Sequence, residues 1–338
     1  MVTRRLCLVT PIEGVAGPAG FQRRLAAGLQ ARGHDVVYSL ADRPYNAILV
    51  TGGTRHLLAL RAARSAGIPI LVRLDGINWI HRRRHTGGWH FLRAEFRNSL
   101  LQATRRMAST VVYQSAFVRS WWEQTYGPAE APAFVIHNGV PLDVYSPSGP
   151  AGRRGEGVRV LVLEANLGGG YEVGLEWAAD LARRLRATVG REVELAVGGN
   201  VADGVLYRLA GEPITWLGLV PAEQVPLLDR SADLLLATDV HPACPNGVIE
   251  AMACGLPVLG FDTGALREVV GQDAGRVVGY GGDPWRLDPP DLDGLARGGG
   301  EILDRMAIFR QAARARAEAA FGLDRMVEAY LDALGWSH

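Results

Sequence analysis

The stretch that decides the fold is residues 241–270, which read HPACPNGVIEAMACGLPVLGFDTGALREVV. A proline-bearing loop leads through Asn246-Gly247 into a short helix that carries Glu250 in its first turns. The Gly-Leu-Pro sequence at 255–257 ends this helix, and an apolar strand follows it. Residues 262–265 then open another helix. Loop, helix, strand and helix in this order indicate one piece of a parallel α/β sheet.

Backbone amides at the start of the first helix predict an anion site. The N–H groups of Asn246, Gly247 and Val248 lack intrahelical acceptors and stand at the positive end of the helix dipole, which suits a diphosphate. The Glu250 carboxylate, about one turn further along, can accept hydrogen bonds from both hydroxyls of a ribose. The same spacing is typical of a helix that packs on a sheet through Ala and Gly, so spacing alone leaves both interpretations open.

Outward from this stretch, short β-branched runs alternate with amphipathic helical stretches, which predicts parallel sheets with crossover helices. The predicted strands lie near 4–10, 35–40, 47–51, 69–74, 110–114, 133–137, 158–164, 192–198, 214–217, 233–237, 256–260 and 275–279. The predicted helices lie near 20–32, 55–66, 89–108, 116–126, 172–188, 222–230, 246–255, 264–270, 301–319 and 323–334. The pattern predicts an α/β fold of two Rossmann-like, doubly wound domains whose strand ends face a central cleft, where ligands bind.

A segment rich in proline and glycine separates the two predicted domains. Residues 141–157 show no hydrophobic periodicity and are predicted to be the linker. The N-terminal domain then covers 1–140 and the C-terminal domain covers 158–320. The last segment, 321–338, is predicted to be a helix.

Composition excludes several classes of protein. The chain has 338 residues, of which 48% are hydrophobic, so it is too apolar to be disordered. Its 3 cysteines lack CxxC spacing, which argues against a disulfide framework or a zinc cage. No uninterrupted run of eighteen apolar residues occurs, and the N-terminal apolar run is short. We therefore expect a cytoplasmic protein without a signal peptide or membrane span.

Charge is divided unevenly along the chain. All 36 basic side chains are arginine, which excludes a Walker or Schiff-base lysine. Residues 1–150 hold 18 arginines and 8 acidic residues, net +10, whereas 151–338 hold 18 and 27, net −9. This asymmetry fits a first half that faces an anionic partner, or two halves that attract each other.

The densest basic region follows the fourth predicted strand. It comprises the run His81-Arg82-Arg83-Arg84-His85 and the helical residues Arg93, Arg97, Arg105 and Arg106. The other side of that helix is predicted to show Leu92, Phe96, Leu100 and Met107. We expect peripheral contact with an anionic membrane through Arg82, Arg83, Arg84, Arg93 and Arg97. An ordinary solvated helix face is the alternative, and no nucleic-acid-binding motif is present.

Several motifs together resemble the family 4 retaining glycosyltransferases, also called glycosyl transferases group 1, which have the GT-B fold. The most specific is EAMACGLPV at 250–258. HNGV at 137–140 followed by YSP resembles the family's segment between the domains, and ITWLGLV at 214–220 resembles the strand beside the base. The opening, 10–36, and VVYQS at 111–115 are also similar. The likeness runs from about residue 5 to residue 334 and implies that the last helix crosses back to the first domain.

The resemblance implies a hexosyltransferase-type enzyme that moves a sugar from a UDP- or GDP-sugar, with retention, to a glycan, lipid-linked or small-molecule acceptor. It implies a role in polysaccharide biosynthesis, and it implies no metal and no cofactor, because the nucleotide-sugar is a substrate. Glu250 would hold the ribose. The implied donor-binding residues are Gly17, Gly20, Asn166, Gly168, Gly169, Gly170, Leu217, Gly218, Val220, His241, Asn246, Gly247, Val248 and Glu250. Asp75 and His81 are implied to face the transferred sugar and the acceptor.

The chain departs from the family pattern at the donor. Eight residues before Glu250 the family has an acid, and this chain has Pro242, with Asp239 and His241 as nearby substitutes. The family also places an arginine and a lysine after the first strand of the second domain, where this chain reads EANLGGGY from Glu164. We expect amides of a glycine nest at 168–170 to replace that clamp.

Asp75 ends the apolar run IPILVRL, in the position where such folds put polar groups. The family often has a His-Asp pair there, but Leu74 precedes Asp75 and the histidine His81 follows in a predicted loop. A turn or helix cap is the alternative role for Asp75. For the whole chain, two other functions stay open: a nucleotide-sugar-binding protein that has lost turnover, and a nucleotide-sugar epimerase on the same architecture.

Overall fold

Two parallel β-sheets organise the chain in this computed structural model, which describes residues 3–9, 12, 14, 17–85, 87–152, 157–168 and 172–337. Contacts divide the chain into two units. The first unit is Met1–Gly139 with Leu323–His338, and the second unit is Val140–Gly322.

The first unit has a six-stranded parallel sheet in the order β2-β1-β3-β4-β5-β6. Its strands are β1 (Arg5–Val9), β2 (Asp35–Val37), β3 (Ala47–Thr51), β4 (Ile70–Leu74), β5 (Thr110–Tyr113) and β6 (Ala133–Val135). Its helices are α1 (Gly17–Gln30), α2 (Leu57–Ser65), a 3-10 turn (Ile80–Arg82), α3 (Gly88–Met107) and α4 (Ala116–Tyr126), with α12 (Leu323–Ala333) at the end of the chain. Apolar strand residues form the core against the inner faces of α1 and α12.

The second unit has another six-stranded parallel sheet, in the order β12-β11-β10-β7-β8-β9. Its strands are β7 (Val158–Leu167), β8 (Val193–Val201), β9 (Ile214–Gly218), β10 (Leu234–Ala237), β11 (Val258–Phe261) and β12 (Gly275–Val278). Its helices are α5 (Val173–Val189), α6 (Asp203–Arg208), α7 (Val225–Ser231), α8 (Asn246–Ala253), α9 (Leu266–Val270), α10 (Leu292–Asp304) and α11 (Met306–Ala320). The strand order reverses between β7 and β10, so this unit has a topological switch point there.

Each strand predicted from the sequence is present, and the α/β prediction is confirmed. The segment predicted as one helix near 301–319 lies in two helices, α10 and α11. Helix α10 begins at Leu292 and includes a glycine-rich stretch whose low helix propensity did not predict a helix. Glycines 298 and 299 lie where α10 meets the sheet and α5, and a Cβ at either would stand 3.0–3.2 Å from neighbouring side chains. These glycines therefore permit close packing and do not end the helix.

The predicted linker packs against the second unit. Arg230 donates to the carbonyl oxygens of Ser146, at 3.1 Å, and Pro150, at 2.7 Å. Arg314 donates to the carbonyl oxygens of Leu142 and Tyr145. Guanidinium groups thus satisfy backbone carbonyls that an unstructured linker would leave to water. No described helix combines the length and apolar character that a membrane crossing requires.

Candidate functional site

The candidate donor site lies at the switch point of the second sheet. There β7 and β10 are neighbours, and the carboxyl end of each strand carries an acid: Glu164 on β7 and Asp239 just after β10. The ladder pairs Leu161 with Leu235, so Glu164 and Asp239 follow their strands to the same edge. Ligands of doubly wound sheets bind outside the carboxyl ends of the strands at this point.

Helix α8 begins beside the end of β7. Ile249 N donates to Pro245 O at 3.3 Å, so the amides of Gly247 and Val248 come before the helical hydrogen-bond ladder. A Cβ placed on Gly247 would lie 3.4 Å from the Leu163 carbonyl oxygen, which shows how closely the helix start approaches the strand. The amides predicted from the sequence therefore stand at the switch point.

Glu250 is the fifth residue of α8 and is half-buried. Its carboxylate lies near Asp229 of α7, which is fully buried. Burial, and then the charge of Glu250, raise the pKa of Asp229 well above its ordinary value. Burial thus favours the neutral form of Asp229, the acid beside Glu250.

Glu164 and Asp239 form a coupled acid pair. Burial raises the pKa of Glu164 to about 8, and the Asp239 charge adds to that shift. Burial raises the pKa of Asp239 to about 7, against a hydrogen bond from the Val240 backbone that lowers it. Within the described residues the Asp239 Oδ1 atom is buried and has no hydrogen-bond partner. Near pH 7 Glu164 therefore keeps its proton, and the switch point carries less negative charge than its two carboxyls imply.

His241 lies in the loop that leads to α8. Its backbone has a left-handed φ of 63°, and its buried ring stacks on Trp285 with centroids 3.6 Å apart. Burial lowers the pKa of His241 to about 4, so the ring is neutral near pH 7. The loop is fixed to the start of α9, because Ala265 N donates to Pro242 O at 2.8 Å.

The predicted base-side residues lie at the end of β9. Leu217 and Gly218 close the strand, and Val220 reaches the end of β7, because a Cβ on Gly198 would meet both Val220 and Leu163 within 2.7 Å. Leu163 thus has the base-side residues and the start of α8 as neighbours. The structure brings these predicted donor residues together around one strand end.

The predicted glycine nest is described only at its first residue. Strand β7 continues to Leu167, three residues beyond its predicted end, so Asn166 pairs in the ladder with Asn200 and accepts a hydrogen bond from it at 3.2 Å. Gly168 follows directly, and Gly169 and Gly170 lie outside the described residues.

The first unit holds a separate polar network at the carboxyl ends of its strands. Arg73 Nη1 donates to Asp75 Oδ1 at 3.0 Å and Arg73 Nη2 donates to Asn138 Oδ1 at 2.8 Å. Gln114 Nε2 also donates to Asp75 Oδ1, and Trp122 Nε1 donates to the Asp75 carbonyl oxygen at 2.7 Å. Asp75 is therefore held in place through its backbone and one carboxylate oxygen.

Sequence reasoning found Asp75 and missed the residues that hold it. The sequence contains a signal for one of them, because Arg73 interrupts an otherwise apolar strand. In the structure its side chain is 1% exposed. Its guanidinium also stacks on Phe21, with the carbon 3.8 Å from the ring centroid. A buried arginine needs such partners. Gln114 and Asn138 both lie inside motifs that were compared with the family.

His81 contacts helix α3. The His81 ring is buried, its Nε2 lies 2.8 Å from Glu95 Oε1, and its ring meets Phe91 edge-on. Arg82 also binds Glu95, at 2.6 and 2.8 Å, and this contact is the main reason why the pKa of Glu95 falls to about 2. His81 was predicted to lie in a loop, and it lies in the 3-10 turn Ile80–Arg82. Its implied role towards the sugar and the acceptor stays a prediction.

Helix α1 begins three residues earlier than predicted, so Gly17 and Gly20 lie in its first turn. They were predicted to belong to a glycine loop beside the donor sugar. Arg23 of the same helix donates to the Gly14 carbonyl oxygen at 2.8 Å, which ties the preceding segment to α1.

Comparison with known proteins confirms the family resemblance. Residues 158–289 match the family model described as Glycosyl transferases group 1. The O-antigen chain mannosyltransferase B of Escherichia coli is 38% identical over 103 residues, which are 28% of this chain and 23% of that protein. The D-inositol 3-phosphate glycosyltransferase of Nocardia farcinica is 28% identical over 257 residues, 71% of this chain and 55% of that protein. The chain thus spans less than two thirds of the length of either relative.

Solved structures confirm the GT-B fold. Sucrose-phosphate synthase from Thermosynechococcus elongatus matches with a TM-score of 0.74 and 16% identity, over 99% of this chain and 100% of that chain. HepE from Anabaena, solved in complex with UDP and glucose, matches with a TM-score of 0.69 and 18% identity, over 99% of this chain and 100% of that chain.

Proposed function

We propose that this chain is a retaining glycosyltransferase that moves a sugar from a UDP- or GDP-sugar to a glycan, lipid-linked or small-molecule acceptor. One observation carries the proposal: Glu250 stands about one turn along α8, whose first-turn amides lie at the switch point of the second sheet. The match of residues 158–289 to group 1 glycosyltransferases and the UDP found in HepE support it.

We assign a group of residues to each part of the donor's nucleoside diphosphate. The diphosphate would accept from the Gly247 and Val248 amides, where the helix dipole favours negative charge. The ribose hydroxyls would donate to Glu250, and the base would lie beside Gly218 and Val220. Charge-assisted hydrogen bonds of this kind contribute about 1.5–3 kcal/mol each.

Departure of the sugar leaves a diphosphate whose charge must be stabilised without the family's arginine and lysine. A protonated Glu164 would donate a hydrogen bond to it, and the backbone amide of Gly168 would add another. No protein nucleophile is assigned, and retention follows when the acceptor enters on the face from which the diphosphate leaves. Asp75, whose Oδ1 accepts from Arg73 and Gln114, would orient the acceptor hydroxyl through Oδ2.

Calorimetric titration with UDP, GDP and ADP tests the donor site, first with magnesium and then with EDTA. We expect one nucleoside diphosphate to bind in both conditions, and Glu250→Ala to weaken it about 10- to 100-fold, from the loss of about 1.5–3 kcal/mol. Glu223→Ala, at an exposed loop position of the same unit, is the matched control. Equal binding by Glu250→Ala and wild type would contradict the assignment of the ribose site.

A second function is favoured by the two departures at the donor, Pro242 in place of an acid and Glu164 in place of the cationic clamp. It is a nucleotide-sugar-binding protein without turnover. Incubation of the bound donor with acceptor mixtures distinguishes the two functions. Release of nucleoside diphosphate, with an NMR spectrum that shows the donor's anomeric configuration in the product, supports the transferase, and tight binding without release supports the alternative.

A further inference from the structure

An apolar stripe covers the outward face of α3. Trp89, Leu92 and Phe96 occur at i, i+3 and i+7, which places them on one face of the helix, and they are 77%, 63% and 50% exposed. The opposite face, with Ala94 and Asn98, is buried. Leu92 and Phe96 were predicted to lie on the side of the helix opposite the arginines, and both are exposed, because α3 packs through smaller residues such as Ala94.

Arginines border this stripe. Arg93 and Arg97 each follow a stripe residue directly, are exposed, and form no ion pair with any described residue. The Arg55 guanidinium lies 5.6 Å from the centroid of the Phe96 ring, which places the start of α2 beside the stripe. Helix α2 adds Leu58, which is 86% exposed.

One arginine of the basic region predicted from the sequence forms an ion pair. Both carboxylate oxygens of Glu95 accept from Arg82, whose side chain is 52% exposed. Arg83 is exposed and has no ion pair among the described residues.

We propose that this α3 surface, made of Trp89, Leu92, Phe96, Arg93 and Arg97, docks on an anionic lipid bilayer. Tryptophan and phenylalanine on one helix face with arginine at its border are typical of helices that lie in the membrane interface. Anionic headgroups would neutralise the arginines while the apolar side chains enter the boundary of the acyl chains. A second copy of the chain fits less well, because a two-fold contact through this surface would bring the same arginines together.

Flotation of the full chain with vesicles tests the proposal. We expect binding to vesicles of phosphatidylglycerol and phosphatidylcholine, and little binding to phosphatidylcholine alone. Each arginine near an anionic surface contributes about fivefold to partitioning, so Arg93→Gln/Arg97→Gln should bind about 25-fold more weakly. Trp89→Ser/Leu92→Ser/Phe96→Ser should lose about 100-fold or more, because it removes the apolar contact.

A matched control variant and a donor-binding assay distinguish loss of membrane binding from general damage to the protein. Tyr207→Ser/Ile308→Ser removes exposed apolar side chains from the second unit and should float as wild type does. Nucleoside diphosphate titration of the two α3 variants should match wild type, because the proposed donor site lies on the second unit. The proposal is overturned if wild type stays unbound to anionic vesicles, if the triple serine variant floats as well as wild type, or if the chain is a dimer that only the triple variant dissociates.

Discussion

Replacing Glu164 by glutamine tests whether the switch point holds a neutral carboxyl where the family has cations. The Glu164 carboxyl sits at the end of β7 beside Asp239, and burial raises its pKa from 4.5 to about 8. In the unfolded chain the same group ionises at its ordinary pKa. Between these two values the folded protein therefore holds a proton that the unfolded chain has released.

This difference makes stability fall as pH rises. The contribution of Glu164 is fully present below pH 4.5, is lost progressively as pH increases, and stops changing above the folded pKa of about 8. The slope from Glu164 is about 1.4 kcal/mol per pH unit, so its part of the free energy of unfolding should drop by about 3 kcal/mol between about pH 5.5 and about pH 7.5. Asp239, whose pKa burial also raises, adds a separate slope in both proteins. Glutamine cannot ionise, so Glu164→Gln should remove the slope from Glu164.

Urea unfolding, followed by tryptophan fluorescence at several pH values, measures the effect. The curves of wild type and Glu164→Gln should diverge with increasing pH, with the variant the more stable at neutral pH. Glu223→Gln makes the same substitution at an exposed site and should run parallel to wild type. Parallel curves for Glu164→Gln and wild type would refute the idea that Glu164 keeps its proton in the folded state.

Two further predictions concern the same unit. The affinity of wild type for its nucleoside diphosphate should fall about 10- to 30-fold as the pH rises past about 8, because Glu164 and Asp239 then both become charged near the diphosphate. The affinity of Glu164→Gln should fall less over the same range. Calorimetric titration below and above this pH measures both affinities. Gly174→Ala should destabilise the fold by about 1–3 kcal/mol, because the new Cβ would lie 2.5 Å from Thr238 O. Gly204→Ala is the control, because a Cβ at Gly204 meets nothing within 4 Å, and it should be neutral or stabilising. Urea unfolding measures both variants.

The sheets could be predicted from the sequence because parallel strands of this kind are short apolar runs between helical stretches. The order of the strands could not, since it depends on which runs pair across the chain. Helix α10 was missed for a related reason: its glycines lower intrinsic helix propensity, and only the neighbours Leu185, Leu259 and Val278 show why they are needed.

The candidate site divides in the same way. The start of α8 and Glu250 form one local segment, so the sequence alone predicted that Glu250 lies about one turn into a helix that begins at Asn246. The anion site at that helix start stays a prediction. The environment of Asp75 depends on Arg73, Gln114 and Asn138, which come from three separate places in the sequence. The exposure of the apolar stripe on α3 could not be predicted, because hydrophobic periodicity marks a stripe but does not say whether the protein core covers it.

The net charge of each structural unit affects how the proposed donor site would bind a diphosphate. By structural unit, the first holds 19 arginines and 10 acidic residues, net +9, and the second holds 17 and 25, net −8. A unit with that charge repels a diphosphate at long range, although physiological salt screens exposed charges beyond about 8 Å. Under the proposed function, binding would come from groups in contact with the ligand, namely the α8 amides and the Glu164 carboxyl. An ionised Glu164 would add to the repulsion, so the burial that raises its pKa would favour binding of a diphosphate.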